Sequence, residues 1–172
     1  MEKIAIFGSA FNPPTLGHKS VVESLTHFDR ILLVPSIAHA WGKEMLDYES
    51  RCSLIEAFIG DLRLPQAELS TVEQDLLQPG QSVTTYALLT FLQEQWPEAE
   101  LTFVIGPDNL FQFGQFYRAQ EILQRWSVMA CPEKVKVRST DVRKCLQEKK
   151  EINTMTTPSV AALLKQQNSY DA

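Results

Sequence analysis

A glycine and a histidine near the start of the chain have the spacing of a phosphate-binding loop. Gly8 ends a short apolar run and opens a stretch rich in Gly, Ser, Asn and Pro, and His18 begins an apolar helical pattern. Because glycine has no side chain, the backbone can approach a ligand closely there, and the following helix start directs unpaired N–H groups and a partial positive charge to the same place. Residues 3–18 therefore predict a phosphate site to which His18 adds a side chain.

A second group of residues with the same chemistry lies near the other end of the chain. Ser139 and Thr140 stand at a predicted helix start, where either can be the N-cap residue. Their hydroxyls and the free N–H groups there suit an anion, and Arg143 follows within about one turn. Residues 133–150 contain seven Lys or Arg and three Asp or Glu, a net charge of +4 in a chain of −5 overall. Two such helix starts, each after a strand, predict a polyphosphate held between them.

The elements that must position these residues alternate between strands and helices. Short apolar runs predict strands, and apolar residues at helical spacing predict helices. This alternation is typical of an α/β fold, so we expect one domain over residues 1–172 with a doubly wound, mostly parallel sheet. The predicted strands after the opening one are 30–34, 69–73, 101–105, 126–130 and 134–137, and the predicted helices are 17–27, 47–59, 82–96, 119–123, 139–149 and one beginning at Pro158.

Composition excludes several classes of function. A net charge of −5 argues against nucleic acid as the main partner, since binding to a phosphate backbone relies on a basic surface. No apolar stretch is long enough to span a membrane, and the charged residues after Met1 do not resemble a secretion signal, so we expect a cytoplasmic protein. Cys52, Cys131 and Cys145 are widely spaced and form no CxxC pair, so neither a disulfide framework nor a metal site is predicted.

Both anion-binding segments resemble signatures of the nucleotidyltransferase superfamily. The stretch from Gly8 to His18 is similar to its (H/T)xGH signature, with Thr15 and His18 as the first and last signature residues, and residues 138–143 resemble its distal SSTxxR signature. The resemblance covers nearly the whole chain and is greatest to bacterial nicotinate mononucleotide adenylyltransferases. Further segments matching these enzymes in order are residues 34–36, Arg51, 82–84, 105–110 and 116–117.

The resemblance implies a Rossmann-like nucleotidyltransferase fold and assigns roles to individual residues. His18, Thr15 and Arg143 would be the catalytic residues. Thr84, Phe116 and Tyr117 would bind the acceptor. Lys43 is a further acceptor-binding candidate from its position alone, because it shares with His39 a loop over residues 36–46 beyond the carboxyl end of a predicted strand. Gly106 and Asp108 resemble the segment that contacts the adenosine. The residues expected to bind ATP are Gly8, Ser9, Ala10, Thr15, His18, Gly106, Asp108, Ser139, Thr140 and Arg143.

The reaction implied is transfer of AMP from ATP to nicotinate or nicotinamide mononucleotide, with release of pyrophosphate. An ionised phosphate needs no general base to attack, so positioning and charge stabilisation would do the work. We expect ATP as a substrate, Mg²⁺ carried with it, and small-molecule nucleotides as partners, with neither nucleic acid nor a membrane among them. The sequence does not determine the oligomeric state and is compatible with a homo-oligomer.

Two alternatives follow from the first signature. Thr15 is the usual residue there in pantetheine-phosphate adenylyltransferases, which makes that enzyme or another nucleotidyltransferase of the superfamily the second hypothesis. The third hypothesis is a nucleotide-binding protein without catalysis, because the nicotinate enzymes usually have His where this chain has Thr15.

Overall fold

A computed structural model describes residues 1–37 and 45–170 and contains one five-stranded parallel sheet. The sheet confirms the predicted α/β class. Its strands are β1 (Lys3–Ser9), β2 (Arg30–Pro35), β3 (Ala67–Leu69), β4 (Glu100–Ile105) and β5 (Ser127–Ala130). They lie side by side in the order β3-β2-β1-β4-β5, and each neighbouring pair is parallel.

The described helices flank this sheet and connect its strands. They are α1 (Leu16–Glu23), α2 (Tyr48–Leu62), α3 (Val72–Leu76), α4 (Thr85–Gln95), α5 (Pro107–Gln112), α6 (Ala119–Arg125), α7 (Ser139–Gln147) and α8 (Pro158–Gln166), with a single 3₁₀ turn at Phe113–Gln115. As expected, Asp47 caps α2, because its carboxylate accepts the Ser50 N–H at 2.7 Å, and Pro158 occupies the first turn of α8. Within residues 1–37 and 45–170, none of the helices has the length and apolar character needed to cross a bilayer.

Both faces of the sheet are buried, which divides the core into two apolar layers. Along β1, Ala5 and Phe7 belong to one layer and Ile4 and Ile6 to the other, as the two-residue period of a strand requires. The first layer includes side chains of α1, α2, α7 and α8, and the second includes side chains of α3, α4 and α6. The sheet is therefore doubly wound, as predicted.

The strand order reverses between β1 and β4, which places a crevice at the carboxyl ends of these two strands. From β1 the chain passes outward to β2 and β3 on one side, and β4 continues to β5 on the other. Because the chain continues from β1 and from β4 to opposite sides, a gap is left between the carboxyl ends of these strands. Parallel α/β proteins bind ligands in such a gap. Gly8 and Ser9 end β1 there, and Gly106 directly follows β4.

The strand predicted at 69–73 overlaps the observed strand only at Leu69, because β3 spans Ala67–Leu69 and a helix begins at Val72. The Ser70 N–H still donates to the Leu33 carbonyl at 2.9 Å. The next hydrogen bond between β2 and β3 would need an N–H group from Pro35, which has none. The chain leaves the sheet, and α3 begins with Val72 packed in the second layer.

The predicted strand at 134–137 is wrong. These residues join no strand, and the segment lies against the first turn of α1 instead. The Val137 carbonyl accepts the Thr15 hydroxyl at 3.0 Å, so it is unavailable for a sheet ladder. A Cβ atom on Gly17 would lie 2.5 Å from this same carbonyl oxygen, which shows how closely the two backbones approach.

Helix boundaries and caps also differ from expectation. Helix α1 ends at Glu23 rather than His27, since tight turns follow in which Leu25 donates to Val22 and Phe28 to Leu25. Helix α4 is capped by Thr84, whose hydroxyl accepts the Ala87 N–H at 3.1 Å, and not by Ser82. Helix α7 begins at Ser139, so neither Ser139 nor Thr140 is its N-cap. Arg138 holds that position, with its N–H donating to Asp141 Oδ2 at 3.0 Å.

Candidate active site

A cavity of about 290 Å³ lies at the reversal point, between the ends of β1 and β4 and the starts of α1 and α7. It is open to solvent on one side. Most of the residues expected to bind ATP line it, together with residues that the sequence did not single out. The lining residues are Phe7, Gly8, Ser9, Thr15, Gly17, His18, Val21, Gly106, Asp108, Asn109, Glu133, Val137, Arg138, Ser139 and Thr140.

Thr15 fixes the start of α1 on the cavity wall. It is the N-cap residue, and its hydroxyl oxygen accepts the Gly17 N–H at 3.0 Å and the His18 N–H at 3.3 Å. The same hydroxyl donates to Val137, which joins the two signature segments directly. With every bond of this hydroxyl committed to protein groups, Thr15 acts in this structure as a positioning residue for the helix start.

His18 has its ring fixed by the same turn. Its Nδ1 atom accepts the Thr15 backbone N–H at 3.0 Å, and its ring lies 4.8 Å from the Phe11 ring between centroids. Because a backbone N–H is always a donor, Nδ1 carries no proton, and the single proton of the neutral ring is on Nε2. This Nε2 lies 3.2 Å from Ser9 Oγ, at the cavity surface.

Burial keeps the His18 ring neutral. Removal from solvent lowers the pKa of His18 to about 4, because a buried imidazolium loses its hydration. Near pH 7 the side chain is therefore an uncharged donor with its N–H directed to the cavity. Such a group can donate to a phosphate oxygen and strengthen that bond as negative charge develops, without any proton transfer.

The distal signature contacts the first loop through side chains that sequence reasoning assigned to phosphates. Ser139 Oγ donates to the Pro13 carbonyl at 2.7 Å. The guanidinium of Arg143 donates to the Asn12 carbonyl at 2.6 Å and to Thr140 Oγ1 at 3.2 Å. The structure thus joins the two segments, but Arg143 is not among the cavity-lining residues, and its contact with phosphate stays a prediction.

Arg51 is a supporting residue whose burial sequence reasoning missed. Its side chain is 1% exposed, and it donates to the carbonyls of Ala10 at 2.9 Å, Ser36 at 2.7 Å and Leu46 at 2.9 Å. These carbonyls belong to the loop after β1 and to both ends of the connection between β2 and α2. The signal was present in the sequence, since Arg51 occupies the same helical stripe as Leu54, Ile55 and Phe58.

Ala10 therefore plays a different part from the one expected. It does not line the cavity, and its carbonyl is the acceptor for Arg51. Its neighbours Gly8 and Ser9 do line the cavity, as do Gly106 and Asp108 after β4. Asp108 forms an ion pair across the cavity, with Oδ2 2.9 Å from an Arg138 guanidinium nitrogen.

Of the residues expected to bind the acceptor, the three that the structure describes do not line this cavity. Thr84 caps α4, Phe116 packs partly buried in the second layer, and half-exposed Tyr117 stacks on Tyr86 with ring centroids 6.2 Å apart. Lys43 and the neighbouring His39 lie outside the described residues. Acceptor binding by Lys43, Thr84, Phe116 and Tyr117 stays a prediction.

No group of three His, Cys, Asp or Glu side chains lies close enough to hold a metal ion in the part of the chain that the structure describes. Asp108 and Glu133 are the carboxylates on the cavity wall, and Arg138 is beside both of them, 2.9 Å from the first and 4.0 Å from the second.

The chain is similar over its whole length to nicotinate-nucleotide adenylyltransferases. A protein from Vibrio parahaemolyticus, described provisionally as such an enzyme, is 58% identical over 99% of this chain and 96% of that chain, with a TM-score of 0.90. A relative of that description from Caldicellulosiruptor saccharolyticus is 24% identical over 98% of both chains. The nicotinic acid mononucleotide adenylyltransferase of Plasmodium falciparum, complexed with NaAD, shares the fold at 17% identity, with a TM-score of 0.79 over 99% of this chain and 98% of that chain.

The sequence model of one family matches most of the chain, and it includes both signature segments. This model, described as cytidylyltransferase-like, covers residues 6–158, from β1 to the first residue of α8. The chain therefore belongs to the cytidylyltransferase-like family of nucleotidyltransferases.

Proposed function

We propose that this protein transfers the AMP moiety of ATP to nicotinate mononucleotide and releases pyrophosphate, a step in the synthesis of NAD. The observation that carries the proposal is the cavity in which the starts of α1 and α7 meet, with His18, Ser139 and Thr140 on its wall. The choice of acceptor is supported by the relatives, since the protein at 58% identity is described as a nicotinate-nucleotide adenylyltransferase.

The cavity supplies the groups that this reaction needs around a triphosphate. The phosphate of the acceptor attacks the α-phosphorus of ATP, a bond to the bridging oxygen breaks, and pyrophosphate leaves with the electron pair. The Nε2–H of His18 donates to the α-phosphate as charge develops, exchanging Ser9 for the substrate. The N-terminal turn of α7 offers backbone N–H groups to the remaining phosphates. The first N–H groups of α1 bond to Thr15 and Met155, so α1 contributes only the partial positive charge of its N-terminus.

Mg²⁺ enters this scheme as part of the substrate. The ion prefers phosphate oxygens and water as ligands, so it would arrive on ATP and neutralise part of the charge of the leaving pyrophosphate.

Pyrophosphate release tests the proposal when it is measured with ATP, Mg²⁺ and one of three acceptors. These are nicotinate mononucleotide, nicotinamide mononucleotide and phosphopantetheine, with a reaction lacking any acceptor as the control. We expect the fastest release with nicotinate mononucleotide. Release with phosphopantetheine alone would assign the chain to the pantetheine enzymes, and no release with any acceptor would favour a nucleotide-binding protein without catalysis.

A further inference from the structure

Arg138 is the cationic side chain that the cavity offers to a ligand. Of the lining residues within the described chain, it is the only lysine or arginine, and burial keeps His18 uncharged. In the signature SSTxxR the corresponding position is the first serine, so this guanidinium is a departure from the pattern that the rest of the segment follows.

Arg143, the arginine that the signature predicts for phosphates, is committed to another contact. Its guanidinium donates to the Asn12 carbonyl at 2.6 Å and to Thr140 Oγ1 at 3.2 Å, outside the set of residues lining the cavity. Breaking these bonds would leave the Asn12 carbonyl without this donor and loosen the junction between the two signature segments. In this structure Arg143 therefore holds the loop that contains Asn12, and Arg138 faces the cavity.

The ion pairs of Arg138 are weak enough for a polyphosphate to replace them. Asp108 lies 2.9 Å away and Glu133 4.0 Å away, and the side chains of Arg138 and Asp108 are 59% and 72% exposed. An ion pair so open to water contributes little to stability, whereas a guanidinium binds phosphate oxygens through two parallel hydrogen bonds. At the Arg138 guanidinium, replacement of the Asp108 carboxylate by a phosphate is thus favoured by the larger negative charge of the phosphate and by the geometry of its oxygens.

We propose that Arg138 binds the phosphates that leave as pyrophosphate, and that Asp108 is the partner it gives up when nucleotide enters. The inference rests on the proposed function, because it concerns the same cavity and the same substrate. It also assigns Asp108 a role that the resemblance did not, as the resting counter-charge of Arg138 rather than only a contact of adenosine.

Pyrophosphate binding measured by calorimetry in the presence of Mg²⁺ tests this exchange, because pyrophosphate has no adenosine for Asp108 to contact. We expect Arg138→Gln to weaken binding roughly tenfold or more, the loss typical of a charged hydrogen-bond donor, and Arg138→Lys to restore part of it. Asp108→Asn should tighten pyrophosphate binding when Arg138 is present. Arg30→Gln is the matched control, since it removes an arginine paired with Glu68 at 3.0 Å at the opposite edge of the sheet, and it should bind as wild type.

The double variant Arg138→Gln, Asp108→Asn separates exchange from simple repulsion. If Asp108 acts through Arg138, Asp108→Asn should not change pyrophosphate affinity in a protein that already carries Arg138→Gln. Equal tightening of pyrophosphate binding with and without Arg138→Gln would overturn the proposal. Unchanged binding by Arg138→Gln, in a protein whose wild type binds pyrophosphate and releases it from ATP, would overturn this inference alone. Failure of the wild type to bind ATP or pyrophosphate would overturn the proposed function and this inference together.

Discussion

At the scale of single residues, the proposed reaction requires His18 to be a neutral donor with a fixed tautomer. The Thr15 N–H occupies Nδ1 at 3.0 Å, and burial lowers the pKa of the ring to about 4. The ring is therefore neutral near pH 7, with its single proton on the nitrogen that faces the cavity. A neutral donor also avoids the desolvation penalty that a buried imidazolium would bring.

This state of His18 predicts a flat dependence of kcat on pH between 7 and 9. A lowered pKa leaves the ring neutral throughout this interval, and the acceptor phosphate, with a second pKa near 6, stays ionised. If an imidazolium with an ordinary pKa of about 6.5 were the donor, kcat would fall about tenfold for each pH unit above 7. Initial rates at saturating ATP and acceptor, in buffers of constant ionic strength, distinguish the two.

Arg51 and Arg143 show which contacts of a side chain can be predicted from the sequence and which cannot. The signature spacing placed Arg143 in the right segment, and the structure brings that segment to the first loop. The direction of the guanidinium depends on the Asn12 carbonyl, 131 positions earlier, and no local pattern reports such a contact. For Arg51 the apolar stripe of α2 did carry the information, since a buried arginine must find carbonyl acceptors.

At the scale of elements, the segment 134–137 matters most, because it replaces a predicted strand with a contact to α1. Its alternation of Lys and Val has the two-residue period of a strand, but periodicity does not say which backbone will be the neighbour. The Val137 carbonyl bonds to Thr15, and the Val135 carbonyl oxygen would lie 3.2 Å from a Cβ atom at Gly17. The glycine of the first signature is thus required by a backbone packed against it.

Gly17→Ala should therefore damage both stability and activity. The added Cβ would lie 2.5 Å from the Val137 oxygen and 3.2 Å from Thr15 Oγ1, and neither a backbone carbonyl nor a helix cap can move away cheaply. We expect a loss of about 1–3 kcal/mol in the free energy of unfolding, measured by denaturant titration, with a lower kcat/KM.

Gly60→Ala is the matched control for that substitution. Gly60 lies in α2, and a Cβ atom added there would meet no heavy atom of another part of the chain within 4 Å. Alanine at this position should leave stability unchanged or raise it by up to about 1 kcal/mol, because it favours the helix more than glycine does. Equal effects of the two substitutions would contradict a special requirement for glycine at position 17.

At the scale of the whole molecule, the sheet order explains why residues so far apart in sequence share one cavity. All five strands run parallel, so the loops after β1 and β4 reach the same edge, and the order reverses between these strands. The alternation of apolar runs predicted this architecture because burial on both faces of a parallel sheet leaves a strong pattern. Short connections such as α3 and the segment 134–137 were mispredicted because tertiary contacts outweigh their weak local preferences.

The central claim is that this cavity catalyses adenylyl transfer with His18 as a donor to the α-phosphate. The most direct measurement is kcat for formation of the adenine dinucleotide by wild type and His18→Ala, with the product identified by mass. His18→Gln should retain an acceptor for the Thr15 N–H and so controls for loss of the helix cap. We expect His18→Ala to lose about 10²-fold or more in kcat while it remains folded and binds ATP. A folded His18→Ala protein that forms the dinucleotide at the wild-type rate would contradict the account.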